Sequence, residues 1–395
     1  MEIQKAFSPI KGFRDFTGEE ARKREFVKKI IVEIYEKYGF EPAETPVVED
    51  KKFVKGENEN DDAISEIYSL TDKGKRELAL RYEFTFQLKR LMQGKKIPYR
   101  RYSIGQVFRD EPVSSARLRQ ITQADIDVVG SVSRDEAEIL AIAKEILDKL
   151  KIEFIIKINN RKLLNEILEE QGVAKKNLKQ VIREIDKKEK IPKKELIEKL
   201  KKFKAEKVLG ILEKPISFFE KYDSFKEIKK LKEYCKLYDV EIEFSPSLAR
   251  GLSYYNGTVF EIVTKKIKES ICGGGSYNFN GVQCTGLALG LDRLCMLTEV
   301  YEKKDSIVII PFENEKKAIQ LANFLREKNK ICVISSDKIS KVMKQANSDK
   351  VRYIIFIGED EIKKGKYKIR DMKSGEEKEV LLDEIVWFLE REERT

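Results

Sequence analysis

The chain contains no histidine in 395 residues. That absence removes Ser-His-Asp and Cys-His nucleophile systems, HExxH metal sites and any histidine general base. Chemistry here must run on arginine, carboxylates, tyrosine and bound metal. Phosphoryl or nucleotidyl transfer fits, because its catalysis is mostly positioning and charge neutralisation. Cysteine is sparse as well. The five cysteines (235, 272, 284, 295 and 332) form no CxxC pair, and their odd number argues against a disulfide framework or a cysteine zinc site. No apolar run approaches the roughly 20 residues that a bilayer needs. The opening MEIQKAFSPIKGFRD lacks the apolar stretch of a signal peptide, so a soluble cytoplasmic chain without a membrane partner is expected. Two common phosphate signatures, GxxxxGK(S/T) and GxGxxG after a strand, are also missing. A nucleotide would be held by arginines, not by a glycine-rich loop.

What is present reads as globular. Apolar residues make up 41% of the chain, in short clusters, and its length predicts two or three domains. Lysine plus arginine outnumber aspartate plus glutamate, 79 to 69. That balance suits a polyanion such as nucleic acid, or simply marks a lysine-rich composition. Residues 17–38 predict a helix, with Thr17 and Glu20 as a capping box, an apolar stripe of Phe26, Ile30, Ile34 and Tyr38, and Gly39 as its end. Strand-like runs follow at 66–70, 77–85 and 99–110, and 118–130 alternates so as to pair with the last of these as a hairpin. Ser133 with Glu136 opens another helix. Residues 161–238 are rich in lysine, glutamate, leucine and isoleucine at helical spacing, broken by Pro192 and Pro215, and read as a helical insertion. Strand signals return at 240–246, 257–263 and 269–277, and TGLALGLDRLCML (285–297) has the length and period of a buried helix. From residue 305 strands alternate with amphipathic helices, the pattern of a small separate α/β domain.

Four clusters can carry chemistry. In LRYEFT (80–85) a strand would present Arg81, Glu83 and Thr85 on one face, an acid and a hydroxyl that suit a substrate ammonium or a solvated surface. In VFRDEPVSSARLRQITQADID (107–127), Arg109, Glu111, Arg117 and Arg119 surround a hairpin turn, as a phosphate clamp would. Arg119, Ile121, Gln123, Asp125 and Asp127 share one face of the return strand, where Gln123 and Asp127 could read a polar ligand. The third cluster sets Arg250 beside Gly251, with Tyr254 and Tyr255 just ahead, and adds the three glycines of SICGGGSYN (270–278). These suit close backbone approach to a ligand, or equally core tyrosines with a surface arginine. The fourth is GLALGLDRL (286–294), where Arg293 on an apolar helix needs an anionic partner if buried.

In this order and spacing the clusters resemble class II aminoacyl-tRNA synthetases, and the resemblance narrows to the histidyl-tRNA synthetase family. Gly12-Phe13-Arg14-Asp15 is similar to the family's opening signature, Pro46 to the proline of the first class motif, FRDE (108–111) to the second and GLALGLDRL to the third. LARGLSYY (248–255) and CGGGSY (272–277) resemble two signatures specific to the histidine enzymes. INNRKLL (158–164) and FIGEDE (356–361) extend the likeness over nearly the whole chain. The chain departs from the family pattern at Tyr82 for proline, Ile121 for an aromatic, Ser253, Ser276 and Asn278 for charged residues, and in the loop Pro112–Ala116.

The resemblance implies an α+β class II catalytic domain, an antiparallel sheet flanked by helices, over 1–160 and 239–300. The helical insertion would occupy 161–238 and an anticodon-binding α/β domain 305–395. It implies a histidine–tRNA ligase that activates L-histidine with ATP, releases pyrophosphate and transfers histidine to the 3′ end of tRNA-His, working as a homodimer. Glu83, Thr85 and Gln123 would hold the α-ammonium, and Asp127 and Tyr255 the imidazole nitrogens, with Tyr254 and Tyr277 shaping the pocket. Arg109 and Arg250 would meet the carboxylate and the α-phosphate, and are the catalytic pair. Arg293 would meet the γ-phosphate and adenine side, and Glu111 and Arg117 would complete ATP binding. Mg²⁺ would ride on the β- and γ-phosphates, with no protein ligand set of histidine or cysteine. A synthetase-like regulatory subunit of histidine biosynthesis shares this fold and is the alternative. Arg250 and the segment 305–395 speak against it.

Overall fold

Helix α1 (Gly18–Lys37) begins the described part of the fold and buries Val27, Ile31, Ile34 and Tyr35 along one stripe. The structure is a computed structural model that describes residues 8–56, 62–189, 191–250, 254–301 and 305–391. Gly39, at φ +76°, ends α1 as its spacing predicts, and the N–H of Phe40 closes on the Tyr35 carbonyl at 3.1 Å. The capping box does not form. Thr17 stands at the N-cap without a side-chain bond, because Glu20 turns to the Arg14 guanidinium at 2.7 Å. Helix α2 (Ser133–Lys149) likewise starts one residue off expectation: Val132 is its N-cap, and the Asp135 carboxylate accepts from the Val132 N–H at 2.8 Å. Glu136 is thereby left to accept from Thr258 Oγ1 at 2.7 Å and from Ser276.

Eleven strands are described before residue 301. They are β1 (Glu41–Pro42), β2 (Val48–Asp50), β3 (Ser69–Thr71), β4 (Glu77–Leu80), β5 (Tyr99–Phe108), β6 (Gln120–Val129), β7 (Ile155–Asn160), β8 (Glu243–Phe244), β9 (Tyr255–Val263), β10 (Cys272–Phe279) and β11 (Val282–Gly290). Eight make one sheet in the order β1-β5-β6-β11-β10-β9-β7-β8, antiparallel except where β1 and β8 join its edges in parallel. β2, β4 and β3 form a separate three-stranded sheet. The hairpin β5–β6 has the expected pairing, from Tyr99↔Val129 to Phe108↔Gln120.

Two elements differ from the sequence reading. The run 285–297 is not one helix: its first half is β11, and helix α3 (Leu291–Leu297) starts only after Gly290. Leu287 and Leu289 enter the core while the residues between them are small and uncharged, so no polar alternation marks the strand and the run cannot be told from a buried helix by its period. The run 77–85 is also shorter as a strand. β4 ends at Leu80, and the chain turns at Arg81, whose guanidinium bonds the carbonyls of Gln106 and Thr45, each at 2.8 Å.

Alternation along β6 divides the sheet into two faces. Ala124, Ile126 and Val128 pack into one core with α1 and with Ile139, Leu140, Ile142 and Ile146 of α2. Helices Arg161–Glu170, Leu178–Asp186, Lys193–Lys201 and Phe225–Leu237 bury Leu163, Ile167, Val181, Ile185, Leu200 and Leu231 in that same cluster. The intervening residues Ile121, Gln123, Asp125 and Asp127 face a cavity on the other side.

The chain divides into two units, Met1–Tyr301 and Glu302–Thr395. The second carries β12 (Ser306–Pro311), β13 (Ile331–Ile334), β14 (Tyr353–Ile357), β15 (Lys366–Asp371) and β16 (Glu377–Leu381), in the order β13-β12-β14-β15-β16. The first three are parallel, and the last two join antiparallel. β16 carries only short apolar content and escaped the sequence reading. Helices Glu315–Glu327 and Leu382–Arg391 close a core of this unit's own, around Leu321, Leu325, Ile355 and Ile385. Among the described residues no helix is long and apolar enough to cross a membrane.

Candidate active site

One cavity of about 990 Å³ opens over strands β6, β9, β10 and β11. All twelve candidate residues line it: Glu83, Thr85, Arg109, Glu111, Arg117, Gln123, Asp127, Arg250, Tyr254, Tyr255, Tyr277 and Arg293. Two residues of the same clusters do not. Arg81 is buried in the bonds just described, over the Phe84 ring at 4.5 Å, and Arg119 pairs with Asp110 at 3.0 Å. Of LARGLSYY, residues Gly251, Leu252 and Ser253 lie outside the described residues.

The inner end is small, polar and tightly held. Asp127 is 2% exposed, yet both of its oxygens are engaged, Oδ1 accepting from the Tyr277 hydroxyl and Oδ2 pairing with Arg101 at 2.5 Å. Burial pushes its carboxyl up while Arg101 and Tyr277 pull it back. Tyr254 packs at a tilt against Tyr255 (centroids 4.8 Å apart) and meets Tyr277 edge-on at 5.5 Å, which makes an aromatic wall. The Tyr254 hydroxyl donates to Glu83 at 3.3 Å. Glu83 sits deep enough for burial to raise its carboxyl to about 7, although Arg109 and Tyr254 act in the opposite sense. Arg109 ties this end to the next: its Nε donates to the Tyr82 carbonyl at 3.0 Å and a terminal nitrogen reaches Gln123 at 3.4 Å.

The outer end is cationic. Arg117 pairs with Glu111 at 3.2 Å, and Arg109 approaches the same carboxylate at 4.0 Å. Arg293 is held by the carbonyls of Ser270 (2.6 Å) and Ala116 (3.1 Å), not by the carboxylate a buried arginine was expected to need. Burial lowers its pKa, and the charges of Arg117 and Arg109 lower it further. Positive charges crowded until they oppose one another suit a polyphosphate. Glu66 does not line the cavity but neighbours Glu111. Burial and the neighbouring Glu111 raise its carboxyl to about 7.

Between the two ends lies Arg250, in the left-handed region at φ +54° and paired with Glu261 at 3.1 Å. The glycine run has its reason at this point. A Cβ on Gly273 would fall 2.3 Å from an Arg250 guanidinium nitrogen, so only glycine lets that group lie flat across β10. Gly286 of β11 does the same for Asp127, whose Oδ1 would stand 2.1 Å from a Cβ there.

Sequence reasoning left several lining residues unassigned. Asp125 was placed on the correct face of β6 but given no role; it is 3% exposed and its Oδ1 has no hydrogen-bond partner among the described residues. Glu261 and Lys157 come from β9 and β7, and Asp186, Lys188 and Glu189 from the end of a helix in the 161–238 segment. Their proximity is tertiary, and no local pattern signals it.

The histidyl-tRNA synthetase family model matches residues 12–294, more than half of the chain. The chain belongs to the histidyl-tRNA synthetase family. An anticodon binding domain model matches residues 306–392. Histidine–tRNA ligase 1 of Bacillus cereus is 33% identical over 420 aligned positions, covering 96% of this chain and 99% of the relative. The crystal structure of histidyl-tRNA synthetase from Nostoc sp. PCC 7120 superposes with a TM-score of 0.83 at 25% identity, over 98% of this chain and 99% of that one. A Bacillus halodurans structure described as an ATP phosphoribosyltransferase regulatory subunit/histidyl-tRNA synthetase reaches a TM-score of 0.76 at 19% identity, over 89% of this chain and 98% of that one. At that identity it shares the fold alone. Membership of the family thus rests on the sequence match, and the class II fold with its C-terminal anticodon-binding domain accords with it.

Proposed function

We propose that the chain is a histidine–tRNA ligase, which condenses L-histidine with ATP to histidyl-adenylate and then transfers histidine to tRNA-His. The observation that carries this reading is the polarity of one cavity, with a carboxylate-and-tyrosine end that fits a small cationic amino acid and an arginine end that fits a triphosphate. Glu83, Thr85 and Gln123 take the α-ammonium. Asp127 and Tyr255 take the ring nitrogens, and Tyr254 and Tyr277 limit the pocket's size. Arg109 and Arg250 stand where the two ends meet, so they orient the histidine carboxylate toward the α-phosphate. Glu111, Arg117 and Arg293 hold the rest of ATP.

The chemistry needs no enzymatic base. The histidine carboxylate is already ionised at neutral pH, attacks the α-phosphorus and forms the acyl-phosphate bond as the bond to pyrophosphate breaks. Charge grows on the α-phosphate oxygens, and an Arg250 fixed by Glu261 and Gly273 meets it without rearrangement. Among the described residues no group of three or more carboxylates or thiols could hold a metal. A Mg²⁺ would therefore be bound mainly by ATP's own phosphate oxygens, with the paired carboxyls Glu66 and Glu111 as protein ligands, a donor set of the kind that ion prefers. When bound it would neutralise charge on the leaving pyrophosphate.

A homodimer is the natural assembly. Val47, Val48 and Leu70 are 37–43% exposed on and beside the three-stranded sheet, at the first class motif, and a second copy would cover them. All five cysteines are free, as a reducing cytoplasm would keep them. The regulatory-subunit reading is the weaker one, because the anticodon binding match at 306–392 gives that unit a tRNA role.

Histidine-dependent ATP–pyrophosphate exchange tests the proposal. Exchange should require histidine and no other amino acid, and Arg250→Ala should slow it by about 10²–10³-fold, the usual effect of removing one preorganised donor to developing charge. Exchange that ignores histidine would reject the function, and near-normal exchange in the variant would reject the role of Arg250.

A further inference from the structure

Arg101 is 0% exposed and heads the largest fully buried side chains, yet it lines no part of the cavity. It stands directly opposite Asp127 in the β5–β6 ladder. Its guanidinium pairs with Asp127 Oδ2 at 2.5 Å and donates to the Phe84 carbonyl at 3.1 Å. Phe84 separates Glu83 from Thr85, so one buried cation connects the carboxylate wall of β6 with the loop that carries the ammonium ligands.

We infer that Arg101 is a positioning residue for the amino-acid substrate: it holds Asp127 and the Glu83–Thr85 loop in a single arrangement, and keeps Asp127 an acceptor for an imidazole N–H. The inference rests on the assignment of Asp127 to the imidazole. A well-packed apolar pair serves a sheet interior at least as well as a buried ion pair, so bare stability gives no reason for a cation here. Geometry supplies one. Tyr277 occupies Oδ1, the missing side chain of Gly286 leaves the space that oxygen fills, and Arg101 pairs with Oδ2, so the carboxylate is held from both sides where it lines the cavity. The other titratable groups facing Asp127 are Glu83 from the loop, Asp125 on its own strand, Tyr255 from β9, Cys284 from β11 and Tyr35 from α1. Arg109 acts on Glu83 and Asp125 and Arg250 on Tyr255, while Arg101 is the cation that acts on Asp127 itself. Without it, burial, which raises the Asp127 carboxyl, is opposed by Tyr277 alone, so Asp127 holds a proton more readily, and a protonated carboxyl in that place no longer offers a charged acceptor.

Arg101→Met keeps the bulk and removes the charge, while Arg101→Lys keeps the charge on a side chain of different reach and shape. Both are assayed in the full chain by pyrophosphate exchange, with KM for histidine and for ATP measured from pH 6 to 9. The Met variant should raise the histidine KM by about ten- to hundredfold at pH 7, the range expected for a lost charge-assisted bond. Its ATP KM should stay within about twofold, and the histidine defect should shrink as pH rises and Asp127 ionises. The Lys variant should lie between it and the parent. A histidine KM unchanged in both variants overturns the inference. So does a parallel rise in both KM values with no pH dependence, which would mark general damage to the sheet. If the Met variant does not fold, the Lys variant decides by the same split between the two substrates. Failure of the parent chain to exchange at all would strike at the proposed function instead, and is read before either variant.

Discussion

Glu83 is 6% exposed behind an aromatic wall, and burial, against the opposing pull of Arg109 and Tyr254, raises its carboxyl to about 7. This gives the pocket a titration that a histidine-free chain otherwise has few means to produce. An α-ammonium binds the ionised carboxylate, so substrate must compete with a proton below pH 7. The sign follows directly: histidine KM should fall as pH rises through 7, and at pH 6 it should be about tenfold higher than at pH 8. The substrate's own imidazole titrates nearby, so the control is Glu83→Gln, which should bind more weakly but lose this limb of the profile. A parent and a Gln variant with the same pH dependence would assign the limb to the ligand. At this scale the sequence was informative wherever function follows a period of two. Gln123, Asp125 and Asp127 could be put on one face because β6 alternates, and the three line one cavity while Ala124, Ile126 and Val128 enter the core. Arg101 could not be read in the same way. Its role depends on the residue across the ladder, and only the hairpin register supplies that.

Elements were legible in proportion to how much of their character is local. Helix α1, the β5–β6 hairpin and the alternating strands and helices after residue 305 follow from periodicity, a glycine end signal and turn-rich connections. The errors fall where tertiary burial overrides the local pattern. β11 runs between β6 and β10 with Leu287 and Leu289 in the core, while Gly286, Ala288 and Gly290 line the cavity. Because those cavity residues are small and uncharged, the sequence VQCTGLALG shows no polar alternation. In the sheet Gly286 stands opposite Asp127 on one side and Gly275 on the other. That placement makes a sharp prediction. Gly286→Ala would put a methyl 2.1 Å from Asp127 Oδ1, so the carboxylate must move or the strand must part. Histidine KM should rise by about tenfold or more, as for loss of a charge-assisted bond, with ATP binding little changed because Arg109, Arg117 and Arg293 lie elsewhere. If the same stretch behaved as a helix with its glycines against another backbone, the substitution would disturb packing generally and both substrates equally.

At the scale of the molecule, the two units divide the work that a tRNA ligase must do. Every candidate residue for histidine and ATP belongs to Met1–Tyr301, and Glu302–Thr395 contributes none. The second unit has its own core, and its match to an anticodon binding domain makes it the tRNA-recognition half. Its basic surface is narrower than the sequence suggests. Arg352 is pinned to Asp371 at 2.7 Å with its side chain 16% exposed, so it cannot serve as a free phosphate contact. Lys338, Lys341 and Lys344, at and within the helix Ile339–Ser348, are exposed, with Lys341 lightly tethered to Asp337 at 3.0 Å. A chain ending at Tyr301 should therefore retain histidine-dependent pyrophosphate exchange within a few-fold, because its cavity is complete. Aminoacylation should fail through a raised KM for tRNA, not through loss of adenylate. Replacing Lys338, Lys341 and Lys344 by alanine in the full chain should weaken binding of cognate and non-cognate tRNA alike, since phosphate contacts carry little sequence information. If the three lysines each neutralise a phosphate, the slope of log affinity against log salt should become shallower by roughly two to three. Selectivity among tRNAs should survive that substitution, and it should disappear only when residues that touch anticodon bases are changed. A truncated chain that charges tRNA-His with an unaltered KM would show that the second unit serves some purpose other than binding tRNA.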